Sequence, residues 1–253
     1  MKHFTATICI MSMGLAGGAI AWTGDNPAPS AVLAELFTSE GCSSCPPADR
    51  LLEALDRVQP VPGARIIVLS EHVDYWDHLG WKDPFSSAAF SSRQHAYGRR
   101  FRLNSVYTPQ LVIDGREQVL GSDIREVRAA ATRAAATPRL PMLISQARRE
   151  GDFALFHLEV PPLPQASSYA RADVWVAIAD EQGTSQVGRG ENSGRRLSHT
   201  AVARRIAVVG EVTKSQGFRQ DLKFAAGGGA GRIIAVLQQR DFGPVAGVDF
   251  ARF

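Results

Sequence analysis

The chain has 253 residues, 45% hydrophobic and 21% charged, the proportions of a globular protein and not of a disordered one. Its 28 Lys and Arg against 25 Asp and Glu leave a net charge of +3, too weak a field to draw in nucleic acid or an anionic membrane. The 23 Gly and 14 Pro are close to ordinary usage, which excludes collagenous and low-complexity architectures.

In chain order, the first element is a leader. Lys2 and His3 precede an apolar, small-residue run from Ala6 to Ile20, and Ala19 and Ala21 form a small-x-small pair before Trp22. This predicts a signal peptide over residues 1–21, cleaved after Ala21, and a periplasmic or secreted mature protein. The alternative is a membrane anchor, but Ser12, Gly14, Gly17 and Gly18 interrupt the run, which is short for a hydrocarbon core of ~30 Å. No stable membrane span is therefore expected in the mature chain. Cys9 leaves with the leader, so Cys42 and Cys45 are the cysteines that remain.

Val32 to Phe37 is a short apolar run suited to a buried strand, and Thr38-Ser39-Glu40-Gly41 turns the chain toward Cys42. Pro46 and Pro47 are tolerable only in a first helical turn, and Leu51, Leu52, Leu55 and Val58 then recur on one face until Pro60. Ile66 to Leu69 predicts a second buried strand, and Asp83-Pro84 signals a helix start before Phe85, Phe90, Tyr97 and Phe101. Val106 to Ile113, the turn Asp114-Gly115 and Glu117 to Leu120 read as a hairpin. Ser122 and Asp123 can cap an Ala-rich helix, with Glu126 completing a capping box. The order is βαβαββα.

From Leu140 onward helical periodicity is absent. Strand-like runs at 153–158, Val174 to Ala179, Ala201 to Val209 and Arg232 to Leu237 are separated by turns at Glu150-Gly151-Asp152, Pro161 to Pro164 and Ala226 to Ala230. The prediction is an all-β, sandwich-like second domain of about six or seven strands over residues 139–253. It follows an α/β domain over residues 30–138, the boundary falling near Thr137-Pro138. The polar, Gly-rich stretch from Gln182 to Arg196 reads as a long loop, either a connector or a binding element. The pairs Arg195-Arg196 and Arg204-Arg205 read as solvated faces.

Cys42 and Cys45 form a C-x-x-C pair in an oxidising setting, where an intramolecular disulfide is expected. Two intervening residues close almost no loop, so such a bridge adds little as a staple. What the spacing does well is set two sulfurs at a helix start, where peptide dipoles and free amides favour a thiolate and hence disulfide exchange.

With that pair ahead of the first helix and Thr108-Pro109 ahead of the third strand, the order resembles the thioredoxin fold over residues 30–137. The resemblance implies that Pro109 is a cis residue beside the dithiol and that Thr108 offers backbone to an extended substrate. It further implies that Cys42 attacks, that Cys45 resolves the mixed disulfide, and that a strand carboxylate relays protons to the resolving thiol. Glu35 is the candidate for that relay, the alternative being a salt-bridged strand residue. Longer strings are closer still to an exported bacterial family known only as a domain of unknown function. They are Glu35 to Asp49 (ELFTSEGCSSCPPAD), His72 to His78 (HVDYWDH) and Val106 to Gln110 (VYTPQ), joined by Glu191-Asn192, Gly194-Arg195, Leu197 and His199-Thr200.

The segment Glu71 to Lys82 is dense in His, Asp and aromatic residues and follows the second strand. His72, Asp74, Tyr75 and Trp76 are expected beside the Cys42 end, a protonated His72 favouring the thiolate and Asp74 opposing it. The tryptophans Trp76 and Trp81 are expected to anchor the loop by packing. The weighed alternative is zinc or copper held by Cys42, Cys45, His72 and either Asp74 or His78, but the second ligand pair lacks a familiar spacing. No metal or other cofactor is therefore expected, and His95 and His157 read as surface or helix-face residues. The function expected is thiol-disulfide exchange with protein thiols or a redox partner protein. The competing readings are a binding module with an inert disulfide and metal handling.

Overall fold

The computed structural model describes residues 29–253, so the leader over residues 1–21 lies outside the described residues. Among the described residues no helix is long and apolar enough to cross a membrane. Strands β1 (Ser30–Thr38) and β2 (Ala64–His72) are parallel, with Leu36 opposite Ser70 and Thr38 opposite His72. Each is longer than its apolar run, because Glu35, Glu71 and His72 are also fully buried within them. Helix α1 (Pro46–Val58) connects the two, with both prolines in its first turn, where their missing N–H groups are not needed. Ala48, Leu52 and Leu55 are buried but Val58 is 61% exposed, so the buried stripe ends a turn earlier than its periodicity predicts.

Helix α2 (Ala88–Arg100) does not begin at Asp83-Pro84. Its cap is Ser87, whose hydroxyl accepts from the Ala89 N–H, while Asp83 is buried and engaged elsewhere. Strand β3 (Gln110–Ile113) starts only after Pro109, which has no N–H to give a ladder. It turns through Asp114 and Gly115, both at positive φ, into β4 (Glu117–Leu120). Helix α3 (Ile124–Ala135) is capped by Asp123, whose carboxylate accepts from the N–H groups of Arg125 and Glu126.

The rest is strand: β5 (Leu143–Glu150), β6 (Phe153–Val160), β7 (Arg171–Gln186), β8 (Arg196–Thr213), β9 (Phe218–Ala225), β10 (Gly231–Gln239) and β11 (Val245–Arg252). Four of these extend the sheet of the first half into an eight-stranded mixed sheet of order β11-β10-β7-β8-β2-β1-β3-β4. The seam is a parallel contact of Ser70 in β2 with Val202 in β8. Strands β5, β6 and β9 form a second sheet, whose Phe156, Leu158 and Val160 pack on Val174, Val176 and Ile178 of β7. The stretch Gln182 to Arg196 is in part strand, since β7 runs to Gln186 and β8 starts at Arg196, leaving Val187 to Arg195 as the loop. Its polar composition hides this extension, and Gly183 sits in it because a Cβ there would come within 2.8 Å of the Phe85 ring.

Side chains alternate across the central strands and define two faces. Val32, Ala34 and Leu36 of β1 pack with Ile66 and Val68 of β2 against α1 and α3. Leu33, Ile67 and Leu69 turn the other way, onto Phe90 of α2 and Trp175, Ala177, Ile234 and Val236 of β7 and β10. That second core is shared by residues from both sides of Pro138.

Candidate functional site

The turn after β1 brings Cys42 and Cys45 to the start of α1, joined in a disulfide with Cα atoms 5.4 Å apart. Cys45 is the residue at the N-cap of α1, and its carbonyl accepts from Ala48 and Asp49 at 2.8 and 3.1 Å. Both cysteines are covered, Cys42 at 1% and Cys45 at 0% exposure. The Ser44 hydroxyl lies 3.3 Å from Cys42 Sγ.

The Thr108–Pro109 peptide is cis, and Pro109 is buried near the first turn of α1. Gly121 marks the approach, because a Cβ there would stand 3.2 Å from Ala48 and 3.3 Å from Pro109. Trp76 ties this side together: its Nε1 donates to Thr108 Oγ1 at 2.9 Å, and its Cβ would lie 3.0 Å from a Cβ on Gly41. The residue before Cys42 is thus held to glycine by the residue that grips Thr108.

The other expected side chains divide between the two faces. Asp74 and Tyr75 bond to α2, Asp74 through the Ser91 hydroxyl and Tyr75 through Gln94 Oε1 at 3.0 Å. Glu35 is not brought to the dithiol. It faces α2 from the opposite side of the sheet, where Arg93 Nε donates to Oε1 at 2.8 Å and the Tyr97 hydroxyl to Oε2 at 2.6 Å. Arg93 also lies 3.5 Å from Glu71, whose burial, with Glu35 nearby, pushes its carboxyl well above the usual range. The relay expected of Glu35 is replaced here by a buried ion pair. His78 is exposed, as is His95, and His157 sits on β6 against Asp221, on a strand and not a helix. Among the described residues no three His, Cys, Asp or Glu side chains converge as metal donors.

His72 faces α1 and enters a buried charged cluster beneath the cysteine turn. Its Nδ1 is 2.6 Å from Asp83 Oδ2, which also accepts from the Glu40 N–H at 2.8 Å. Burial pushes the Asp83 carboxyl up, but His72 and the N–H donors of Glu40 and Phe85 outweigh this and hold it below its usual range. The His72 ring stands edge-on to His199 with centroids 4.4 Å apart. His199 Nε2 lies 3.1 Å from Glu40 Oε1, and its Nδ1 3.6 Å from Asp49 Oδ2 in α1. Burial alone favours the neutral ring, yet the carboxylates of Asp49 and Glu40 push its pKa up to about 9. Trp81 Nε1 and the Ser185 hydroxyl also donate to Glu40.

The loop from Val187 to Arg195 closes over this end. Asn192 Nδ2 donates to the carbonyls of Glu40 at 2.8 Å and Cys42 at 3.0 Å, and Glu191 Oε2 accepts from the Ser43 N–H at 3.0 Å. The sequence placed none of Glu40, Asp49, Glu191, Asn192 and His199 in the site, and it offered Asp83 only as a helix start. All but Asp83 stand in the strings that carry the family resemblance, but their convergence depends on β8 bringing His199 and the loop before it beside the cysteine turn.

A family model described as a protein of unknown function (DUF1223) matches residues 33–238. Among solved structures, the chain is similar to a structural-genomics crystal structure of a protein from Agrobacterium tumefaciens, at 27% identity and TM-score 0.64. The match covers 87% of this chain and 92% of that one. It is also similar to HBP35 of Porphyromonas gingivalis, at 12% identity and TM-score 0.62, covering 89% of this chain and 76% of that one, a likeness of fold alone. No curated protein matches it.

Proposed function

We propose, because the chain belongs to the DUF1223 family and that family carries no assigned reaction, a function read from its own geometry: thiol-disulfide exchange in the periplasm or outside the cell. The unit is residues 30–138, of the thioredoxin-like superfamily, supported by the order βαβαββα and by the arrangement β2-β1-β3-β4 within the sheet. The observation that carries the reading is the Cys42–Cys45 disulfide at the N-terminal end of α1, with Thr108 tied through Trp76 to the turn before Cys42 and Pro109 close to the first turn of that helix. Residues 139–253 meet the cysteine turn through Glu191 and Asn192 and the charged cluster beneath it through His199.

The substrate class is a partner protein with two thiols. One partner thiolate attacks Cys42 Sγ, forming a mixed disulfide and breaking the Cys42–Cys45 bond, and Cys45 leaves as a thiolate that takes up a proton. The second partner thiolate attacks the partner sulfur of the mixed disulfide and expels Cys42. Two electrons have then passed from the partner dithiol to the bridge, and the same steps run backward when a partner disulfide is reduced. The 1% exposure of Cys42 favours a second reading, a binding module whose bridge is inert.

The reduction potential of the bridge against glutathione separates the two. A value above roughly −300 mV supports exchange, and one well below it supports the inert bridge. In the export compartment Cys45→Ala is expected to trap mixed disulfides through Cys42, and Cys42→Ala few. Equal trapping by both overturns the assignment of Cys42 as the attacked sulfur.

A further inference from the structure

We propose, resting on the redox reading, that the loop Val187 to Arg195 is an autoinhibitory strap that shelters the dithiol, holding it closed through Glu191 and Asn192. The strap comes from far along the chain, 148 residues from Ser43 to Glu191 and 150 from Cys42 to Asn192, yet it meets the backbone of the C-x-x-C turn itself. The fully buried Asn192 spends its amide on the carbonyls of Glu40 and Cys42, and its own carbonyl accepts from Arg195 at 2.7 Å. This pins the strap across the turn.

Glu191 acts on charge. The Ser43 N–H is the backbone donor next in the chain to Cys42, in the turn that leads into α1, and a free donor beside a cysteine favours its thiolate. In the closed state the Glu191 carboxylate accepts that N–H, so this donor is taken and a negative charge is held at the residue next to Cys42. Strap opening frees the amide, removes the charge and uncovers the sulfur together.

The strap is built to move as a piece. Gly194 N–H donates to Val187 O at 2.8 Å and Val187 N–H to Arg195 O at 2.9 Å, and Gly190 and Gly194 take left-handed conformations at φ 77° and 79°. Its inner side rests on Trp81, which a Cβ on Gly188 would meet at 3.3 Å. Outside that contact the grip on the turn is a few side-chain hydrogen bonds, and Glu191 and Ser43 are solvent-exposed, so opening needs little to be broken.

The test is the rate at which excess dithiothreitol opens the bridge in the native full chain, read as mass shift after alkylation at quenched pH. Parent, Glu191→Gln, Glu191→Ala and Asn192→Ala are compared, with thermal melts to verify the fold. Glu191→Ala and Asn192→Ala are expected to react roughly fivefold or more faster than the parent, and Glu191→Gln, which keeps an acceptor but not the charge, to fall between. If Asn192→Ala does not fold, the exposed Glu191→Ala decides. Equal rates in all folded forms overturn the strap and leave the redox reading standing. A bridge that stays closed in every folded form overturns the redox reading and the strap with it.

Discussion

At the scale of single side chains, His199 holds the charged cluster together, since Glu40 and Asp49 both turn to its ring. Its pKa in the folded protein, about 9, lies above the roughly 6.5 of an unfolded chain. The stabilisation from its charge is therefore complete below about pH 6.5 and lost as pH rises through about 9. Urea unfolding between pH 6 and pH 10 is expected to show that decline in the parent and a flatter profile in His199→Gln; parallel profiles would remove the charge from His199. On the opposite face, Arg93→Met is expected to destabilise by roughly 3–5 kcal/mol, because it leaves Glu35 buried without its cation. Under the relay role Glu35→Gln would slow exchange at unchanged stability. Given its place beyond the sheet, Glu35→Gln is expected to lower the urea midpoint and leave the exchange rate of the folded fraction as it was.

At the scale of elements, the helices were the most legible part of the sequence. Prolines at the start of α1 and Asp123 at the start of α3 act through local backbone chemistry, which needs no knowledge of the fold. Asp123→Ala is expected to cost about 1 kcal/mol in urea unfolding, since two N–H groups lose their acceptor. Asp83 misled for the same reason in reverse: the local signal is a helix cap, but the carboxylate is drawn to His72 and the Glu40 N–H. Glu35 gave no local sign of facing α2, because strand alternation places it on a face without saying which helix lies there. The polar ends of β7 and β8 were illegible as strand, since Ser185 and His199 serve the cluster under the cysteines in place of an apolar core. The Cys42–Cys45 pairing was legible in the spacing, and its cover was not.

At the scale of the whole molecule, the shared core argues against independent halves. A fragment of residues 30–138 would uncover Leu33, Ile67, Leu69 and Phe90, which Trp175, Ala177, Ile234 and Val236 shield. At roughly 1.5–3 kcal/mol per large side chain, even half of that loss is comparable with the ~5–15 kcal/mol that stabilises a typical domain. The fragment is expected to show helical circular dichroism but no cooperative melt; a sharp melt near that of the full chain would show that the first half stands alone.

The 148-residue separation between Ser43 and Glu191 also sets an order of events in the life of the protein. A chain that emerges N-terminus first presents its two thiols long before the strap exists. On the strap proposal, the bridge can therefore be made by oxidants too bulky to reach it afterwards, and the finished protein meets its exchange partners only when the strap opens.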